Sequence, residues 1–250
     1  MRVLLTNDDG IGAEGLHALR RALAELDGIE THVIVPDSNR SATARSITTR
    51  SPLTVEEVRL DDGGIAHATD GTPVDCVRFA ELGLVGGRPD LIVSGINHGA
   101  NLGDDITYSG TVAAALEGVV LGVPGIAVSQ QSIARELVRR LLSEPMPPAT
   151  LINVNCPAGE PEGIEVTKLG KRIYNDELKL VGEESDRRRR YEIYGWKPGY
   201  EEIDGTDLYA VARKRISVTP IHFDLTDHGG LDSLRGWGFE EMLAASAPTA

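Results

Sequence analysis

The chain lacks the long apolar runs and the basic surplus that mark two large classes of protein. No apolar run approaches the roughly 20 residues of a membrane-spanning helix. Its first residues, Met1–Leu5, lead into polar Asn7 rather than into the apolar region of a signal peptide. Acidic residues outnumber basic ones by 38 to 25, for a formal net charge of −13, whereas a nucleic-acid-binding surface needs a basic face. We therefore expect a cytoplasmic protein with no membrane contact and no main role in nucleic-acid binding.

Cysteine is also scarce. Cys76 and Cys156 are the only two, and the chain has neither a Cys-x-x-Cys motif nor a cluster of histidines. Zinc sites are built mainly from these two residue types, so the composition does not favour zinc. Two buried, reduced thiols are expected rather than a disulfide.

The first 160 residues predict alternating strands and helices, because short apolar runs bounded by turn residues alternate with amphipathic stretches. The predicted strands are Arg2–Thr6, Thr31–Val35, Leu91–Ser94, Gly125–Ser129 and Leu151–Asn155, with a hairpin of Leu53–Leu60 and Ile65–Thr69. The predicted helices are Glu14–Leu26, Thr72–Leu82, Gly110–Leu121 and Ile133–Leu142. This succession predicts an α/β fold with a doubly wound, mostly parallel sheet and helices on both faces.

After Pro157 the βαβ pattern stops. Strands are predicted in an accessory antiparallel part, at Ile164–Leu169, Arg190–Tyr194 and Ile216–Thr219, and a last helix at Leu231–Ala245. The basic run Arg187–Arg190 follows acidic residues and indicates a solvated loop or hairpin, with contact to a phosphate or a partner chain as the alternative. We expect one domain over residues 1–250, with a core of about 1–160 and an accessory part of about 161–250.

Three loops rich in polar residues follow predicted strands, at residues 7–10, 37–41 and 94–101. The carboxyl ends of parallel strands meet at one edge of a sheet, so these loops should converge there. Asp8 and Asp9 are adjacent, and their repulsion falls if a cation lies between them; a solvated acidic turn is the alternative. Carboxylate, hydroxyl and amide oxygens suit Mg²⁺, Mn²⁺ or Ca²⁺. His98 is left out of the ligand set, because a single loop histidine is more often exposed or hydrogen-bonding.

A second polar element is Ser109-Gly110-Thr111 at the start of a predicted helix. Free backbone N–H groups, two hydroxyls and the positive end of the helix dipole would form a small anion pocket there. Simple N-capping by Ser109 or Thr111 is the alternative. The chain has no Walker loop, no GxGxxG after the first strand, no Asp-x-Asp and no Gly-x-Ser-x-Gly.

Five motifs in this order resemble the family of the stationary-phase survival protein SurE. They are Asn7-Asp8-Asp9-Gly10, Pro36-Asp37-x-Asn39-Arg40-Ser41, Gly71-Thr72-Pro73-x-Asp75-Cys76-Val77, Ser94-Gly95-Ile96-Asn97-x-Gly99-x-Asn101-Leu102-Gly103 and Tyr108-Ser109-Gly110-Thr111-Val112. The resemblance extends to Ser217-Val218-Thr219-Pro220 and so covers nearly the whole chain. Residues 171–205 depart from the family pattern, so the resemblance says least there about base preference and the assembly interface.

The resemblance implies a Rossmann-like core with a C-terminal extension used in dimer or tetramer assembly. It implies a metal-dependent phosphatase of nucleoside 5′- and 3′-monophosphates, with short polyphosphate as a further substrate. One Mg²⁺ or Mn²⁺ ion per subunit would be held by Asp8, Asp9, Ser41 and Asn97. Phosphate would be bound by Asn101, Ser109, Gly110 and Thr111, and Asp8 and Asp9 are the expected catalytic pair.

Two functions of other classes also fit a phosphate pocket on such a fold. The first is a nucleotide-binding regulatory protein without turnover, but phosphate binding alone does not favour two carboxylates beside the anion. The second is a glycosyltransferase, but its usual Asp-x-Asp is missing. Phosphate release from AMP without an acceptor sugar separates the three functions.

Overall fold

The structure is a computed structural model and describes residues 1–130, 139–185, 187–193 and 198–239. The strands in chain order are β1 (Arg2–Thr6), β2 (Glu30–Pro36), β3 (Val55–Arg59), β4 (Ile65–Thr69), β5 (Leu91–Asn97), β6 (Gly125–Ser129), β7 (Thr150–Asn155), β8 (Gly163–Val166), β9 (Arg172–Ile173), β10 (Lys179–Ser185), β11 (Arg188–Glu192), β12 (Gly199–Tyr200) and β13 (Arg215–His222). The helices are α1 (Glu14–Ala24), α2 (Pro73–Glu81), α3 (Gly110–Val120), Asp207–Ala212 and Gly230–Arg235, with a 3-10 helix at Gly103–Thr107.

The central sheet has nine strands in the order β3-β4-β2-β1-β5-β6-β7-β13-β8. The strands from β4 to β7 in this order are all parallel, whereas β3 is antiparallel to β4 and β13 is antiparallel to β7. The predicted mostly parallel sheet is therefore confirmed. The chain places β2 on one side of β1 and later β5 on the other, so the strand order reverses between β1 and β5.

Helices cover both faces of this sheet. On one face, α1 buries Leu16, Leu19 and Leu23 in a core that includes Val3 and Leu5 of β1. On the other face, α2 and α3 pack in a cluster around the intervening residue Leu4. Successive strand residues point to opposite faces, so one apolar strand supplies both cores. The doubly wound prediction is confirmed; residues 133–138 of the predicted Ile133–Leu142 helix lie outside the described residues.

Most core elements follow the sequence prediction closely. Helix α2 begins with the expected cap: Thr72 and Asp75 form a reciprocal capping box, with Pro73 in the first turn. Strand β5 is longer than predicted, because it continues from Ser94 through Asn97. Gly95 makes this possible: its φ is +137°, and a Cβ there would lie 2.3 Å from the carbonyl oxygen of Val128.

The C-terminal third differs from the prediction. Strands β8 and β13 had been expected in the accessory antiparallel part, but they complete the central sheet, where β13 pairs with β7 and β8 runs parallel to β13. The reason is burial: Ile216 is fully buried and joins the core of the α1 face. The antiparallel extension consists of the pairs β10–β11 and β9–β12.

The remaining predictions for this part are met only partly. The Arg187–Arg190 run lies in the exposed β10–β11 hairpin, where Arg188 and Arg189 form ion pairs with Glu184 and Glu183. The last helix, predicted at Leu231–Ala245, spans Gly230–Arg235 and ends at Gly236, earlier than expected; residues 240–245 of the prediction lie outside the described residues. Cys76 and Cys156 are buried and no disulfide joins them, as expected. Across the described ranges, we find no helix with the length and apolar character to cross a membrane.

Candidate active site

The polar side chains predicted to form a site lie at the carboxyl edge of the sheet. Asp8 and Asp9 follow β1, and Asn97 is the last residue of β5. These two strands are parallel neighbours in the sheet, and Thr6 of β1 pairs with Ser94 of β5. In open α/β sheets, ligands bind at this edge where the strand order reverses. The fold therefore brings the first and third polar loops together at the position where a site is expected.

The Asn7–Gly10 turn is closed by its own side chain. The Asn7 amide nitrogen donates to the Gly10 carbonyl at 2.9 Å, and the Gly10 N–H donates to the Asn7 carbonyl oxygen at 3.2 Å. Gly10 has a φ of +96°, which an L-residue rarely adopts. This turn fixes the direction in which the two following carboxylates leave the sheet.

Asp8 is almost completely buried, with 4% of its surface exposed. Its Oδ1 accepts a hydrogen bond of 2.6 Å from the Thr111 hydroxyl, at the start of α3. Burial raises the pKa of Asp8 above its usual value, the Thr111 bond opposes this rise, and the negative charge of Asp9 adds to it. Among the described residues, no positively charged group contributes to the pKa shift of Asp8.

Asp9 joins the other two loops. Its Oδ1 accepts a bond from the Asn39 amide at 3.2 Å, and its Oδ2 accepts one from the backbone N–H of His98 at 3.2 Å. His98 therefore contacts the site through its backbone, while its side chain is exposed. The loop after β2 is also tied to Asp8, whose carbonyl oxygen accepts a bond of 2.7 Å from the Arg40 N–H.

The two predicted neutral ligands lie on these loops. Ser41 is exposed, and its backbone N–H donates to the side-chain oxygen Oδ1 of Asn39 at 2.8 Å. Asn97 is half-buried, and its amide nitrogen donates to the Gly99 carbonyl at 2.8 Å. Because that bond uses the nitrogen, the carbonyl oxygen is the atom of Asn97 that suits a metal.

The predicted phosphate pocket begins helix α3. The Ser109 hydroxyl caps this helix by accepting the Val112 N–H at 3.1 Å. Gly110 lies against the first acidic residue: a Cβ added there would be 2.7 Å from the Cβ of Asp8. The Thr111 hydroxyl bonds to Asp8, so in this structure Thr111 holds the carboxylate, and its role in phosphate binding stays a prediction.

Asn101 is buried in an amide network that the sequence reasoning missed. Its amide nitrogen donates to the Ser129 hydroxyl at 2.7 Å, and its N–H donates to Asn155 Oδ1 at 2.7 Å. Its carbonyl oxygen accepts bonds from the side chains of Asn153 and Asn155, both at 2.9 Å. Two asparagines in an otherwise apolar buried strand were the signal for this network. They anchor the loop before the predicted phosphate pocket to β7.

A cleft of about 270 Å³ opens beside Asp9. It lies between the first turn of α1 and the end of β5, on the opposite face of the sheet from α3. Its lining residues are Asp9, Ala13, Glu14, Gly15, Ile96, Asn97, His98 and Gln130. The Gln130 side-chain oxygen is buried and has no hydrogen-bond partner among the described residues.

The donor set fits a hard divalent cation. Burial and, to a smaller extent, the negative charge of Asp9 raise the pKa of Asp8, so a bound cation would favour the ionised form of both adjacent carboxylates. Within the described ranges, no group of three or more His, Cys, Asp or Glu side chains is arranged to hold a metal. A metal here would therefore combine the two carboxylates with neutral oxygens, a set that suits Mg²⁺, Mn²⁺ or Ca²⁺ better than zinc.

Comparison with known proteins shows which family the sequence matches. The family model described as "Survival protein SurE" matches residues 3–176. The chain is 51% identical to the "5′-nucleotidase SurE" of Rubrobacter xylanophilus, covering 97% of this chain and 99% of that protein. It is 46% identical to the "5′-nucleotidase SurE" of Chloroflexus aggregans, covering 96% and 100%.

The structure is also similar to a solved one. It matches the crystal structure of the SurE protein from Aquifex aeolicus with a TM-score of 0.77 and 36% sequence identity, covering 95% of this chain and 99% of that chain. The matches span nearly the full length of both partners, and the chain belongs to the SurE family.

Proposed function

We propose that this chain is a metal-dependent 5′-nucleotidase that hydrolyses nucleoside 5′-monophosphates to nucleosides and phosphate. The observation that carries the proposal is the contact between Asp8 and the start of α3, which would join the proposed cation site to the proposed anion pocket. The names of the SurE relatives support the same activity. Nucleoside 3′-monophosphates and short polyphosphate are further substrates under this proposal.

One Mg²⁺ or Mn²⁺ ion per subunit would be held by Asp8, Asp9, Ser41 and Asn97. When bound, the cation supplies positive charge that polarises the phosphoryl group and makes the attacking water more acidic. The protein contributes the fixed positions of these ligands, since Asn39 and the His98 N–H hold Asp9 and Thr111 holds Asp8.

The start of α3 would hold the other phosphoryl oxygens. The Ser109 hydroxyl and the backbone N–H of Gly110 lie at the positive end of the helix dipole, where developing negative charge is stabilised. Asn101, also proposed to bind phosphate, is held beside this pocket by its hydrogen bonds to β6 and β7.

Asp8 is the proposed proton acceptor. The Oδ1 atom of Asp8 accepts the Thr111 hydrogen bond, so Oδ2 would accept a proton from the attacking water. The oxygen of that water would bond to phosphorus while the ester P–O bond breaks. The leaving nucleoside oxygen takes up a proton from solvent, and Asp8 returns its own proton to solvent as the products leave. A phosphorylated Asp8 is the weaker alternative, because a bound cation lowers the nucleophilicity of this carboxylate.

A phosphate-release panel tests the function. The purified chain is given AMP, GMP, CMP, UMP, 3′-AMP and short polyphosphate with divalent metal and no acceptor sugar. We expect phosphate from at least one nucleoside monophosphate. Binding of nucleotides without release would favour the regulatory alternative, and release only when an acceptor sugar is added would favour a glycosyltransferase.

The nucleoside would lie in the cleft beside Asp9. The cleft starts at a proposed metal ligand and carries the exposed Glu14 carboxylate at its rim, which could accept hydrogen bonds from the ribose hydroxyls. Glu14→Gln is expected to raise the KM for AMP about tenfold, as a hydrogen bond to a charged group contributes about 1.5–3 kcal/mol.

Steady-state kinetics with two substrates provide the control for this prediction. p-Nitrophenyl phosphate has no ribose, so its kcat and KM should be unchanged in Glu14→Gln. An equal loss with both substrates, or no loss with AMP, would show that the nucleoside does not lie in this cleft.

The C-terminal hairpin would mediate self-association into a dimer or tetramer. Strands β10 and β11 pair only with each other among the described strands, and an isolated two-stranded sheet is marginally stable in water. The hairpin region exposes the apolar side chains of Leu178, Leu180, Val181, Tyr191 and Ile193. A neighbouring subunit is the support that fits these surfaces.

Replacing residues 177–193 with a short glycine–serine linker should therefore give monomers. The replacement should leave the rest of the fold intact, because it retains the buried Asp207, which accepts hydrogen bonds from the N–H groups of Gly103 and Gly170. Light scattering at micromolar concentration measures the mass of both proteins. A monomeric full-length chain, or a linker variant of undiminished mass, would contradict the assignment.

A further inference from the structure

Helix α3 carries a buried charge that the proposed chemistry does not use. Glu117 is 1% exposed, and its carboxylate forms ion pairs with two arginines. Its Oε2 lies 2.5 Å from Nη2 of Arg45, and its Oε1 pairs with Arg78 of α2. Burying a carboxylate away from water is unfavourable unless charged partners compensate it, so the two arginines stabilise Glu117 in its buried position.

Arg45 connects this carboxylate to the loop that follows β2. The same loop carries Asn39, which bonds to Asp9, and Ser41, a proposed metal ligand. The guanidinium of Arg45 also lies 4.8 Å from the centre of the Phe223 ring, just after β13. Arg45 is thus held on two sides by parts of the chain distant from it in sequence.

The backbone of the loop explains why such a hold is needed. Ala42 has a φ of +58° and Ala44 a φ of +52°, conformations that are unfavourable for a residue with a Cβ. Strained backbone of this kind persists only where the surrounding contacts fix it. At one of these strained positions, the Ala44 N–H donates to the Tyr108 carbonyl at 3.2 Å, and Arg45 follows immediately.

We infer that Arg45 is a positioning residue for the metal site: its ion pair with Glu117 holds the strained loop so that Ser41 and Asn39 face the Asp8–Asp9 pair. Helix α3 is the common support, because it holds Asp8 through Thr111 and the loop through Glu117. The inference rests on the proposed metal site, and hence on the proposed function.

The chain offers a matched control. Arg78 pairs with the same carboxylate but belongs to α2, which carries no proposed ligand. Arg45→Met and Arg78→Met each leave Glu117 with one arginine, so both variants should lose thermal stability. Only Arg45→Met should weaken Mn²⁺ binding, by about ten- to a hundredfold, the usual effect of losing a residue that orients metal ligands.

The experiment measures Mn²⁺ affinity by isothermal titration calorimetry and the melting temperature of each variant, without any substrate. In a Ser41→Ala background, Arg45→Met should weaken Mn²⁺ binding by clearly less than in the original chain, because the ligand that it positions is already absent. Arg45→Lys keeps the positive charge and serves if Arg45→Met does not fold; its Mn²⁺ affinity should also fall.

Equal Mn²⁺ affinities for the two arginine variants, or full additivity with Ser41→Ala, would overturn the inference. So would a wild-type chain that binds no Mn²⁺. AMP hydrolysis by the wild type with unaltered Mn²⁺ binding in Arg45→Met would refute the positioning role and leave the proposed function intact. Weakened Mn²⁺ binding in Arg45→Met together with no hydrolysis by the wild type would support the positioning role and refute the proposed function.

Discussion

Asp9→Asn is expected to give a folded protein that releases phosphate from AMP about a thousandfold more slowly, since a lost metal ligand costs several kcal/mol of transition-state stabilisation. The substitution removes a negative charge and nearly preserves the shape of the side chain. The amide oxygen can still accept one of the two hydrogen bonds that Asn39 and the His98 N–H donate to Asp9. The value of kcat/KM should therefore fall strongly, while the melting temperature should change little.

Asp61→Asn is the control for this variant. Asp61 is an exposed carboxylate in the turn between β3 and β4, away from the proposed site. Its replacement removes the same charge from the protein and should leave kcat/KM unchanged. An Asp9→Asn protein within about threefold of the original activity would mean that the acidic pair is only a turn.

Gly110→Ala is expected to lower kcat for AMP by about a hundredfold, because a misplacement of about 1 Å near the chemistry can have an effect of this size. The added Cβ would lie 2.7 Å from the Cβ of Asp8 and 2.9 Å from its Oδ2, so the carboxylate must move. Gly110 is the first residue of α3, so the added methyl group would crowd the side chain of Asp8 rather than the hydrophobic core. Activity should thus fall with little loss of stability.

The same substitution elsewhere on α3 separates the two effects. Gly118 lies about two turns after Gly110 on α3, away from the end of the helix that contacts Asp8. An added Cβ there would lie 2.5 Å from Cγ1 of Ile92 in the core. Gly118→Ala should lower the melting temperature and leave kcat almost unchanged. Thermal melts and AMP kinetics on both variants measure this contrast. If Gly110→Ala kept full kcat, the close contact between α3 and Asp8 would not matter for turnover.

The core and the location of the site were predictable because they depend on local patterns. The apolar run of β1 ends in Asn7-Asp8-Asp9-Gly10, and β5 is followed by the loop with Asn101. Parallel strands bring their carboxyl ends to one edge, so the convergence of these loops followed from the order of the elements alone. The capped start of α2 was equally clear, since its signal lies within four residues.

The remainder depends on contacts between distant residues, for which a single sequence carries no local signal. The pairing of Ser217 with Asn155 places β13 in the central sheet, although its own sequence is equally compatible with a separate hairpin. The bond from Thr111 to Asp8 and the pairing of Arg45 with Glu117 link residues far apart in the chain. From the sequence alone, Thr111 is explained equally well as a helix cap, and Arg45 and Glu117 as surface charges.

Phosphate release from AMP by metal-stripped protein tests the central claim most directly. After dialysis against excess EDTA, the chain should release no phosphate above the blank. Added Mg²⁺ or Mn²⁺ should restore the rate better than Ca²⁺, which binds more loosely and takes more ligands. Full activity in the continued presence of excess EDTA would contradict the account, because it would remove the cation from the site that Asp8 and Asp9 are proposed to form.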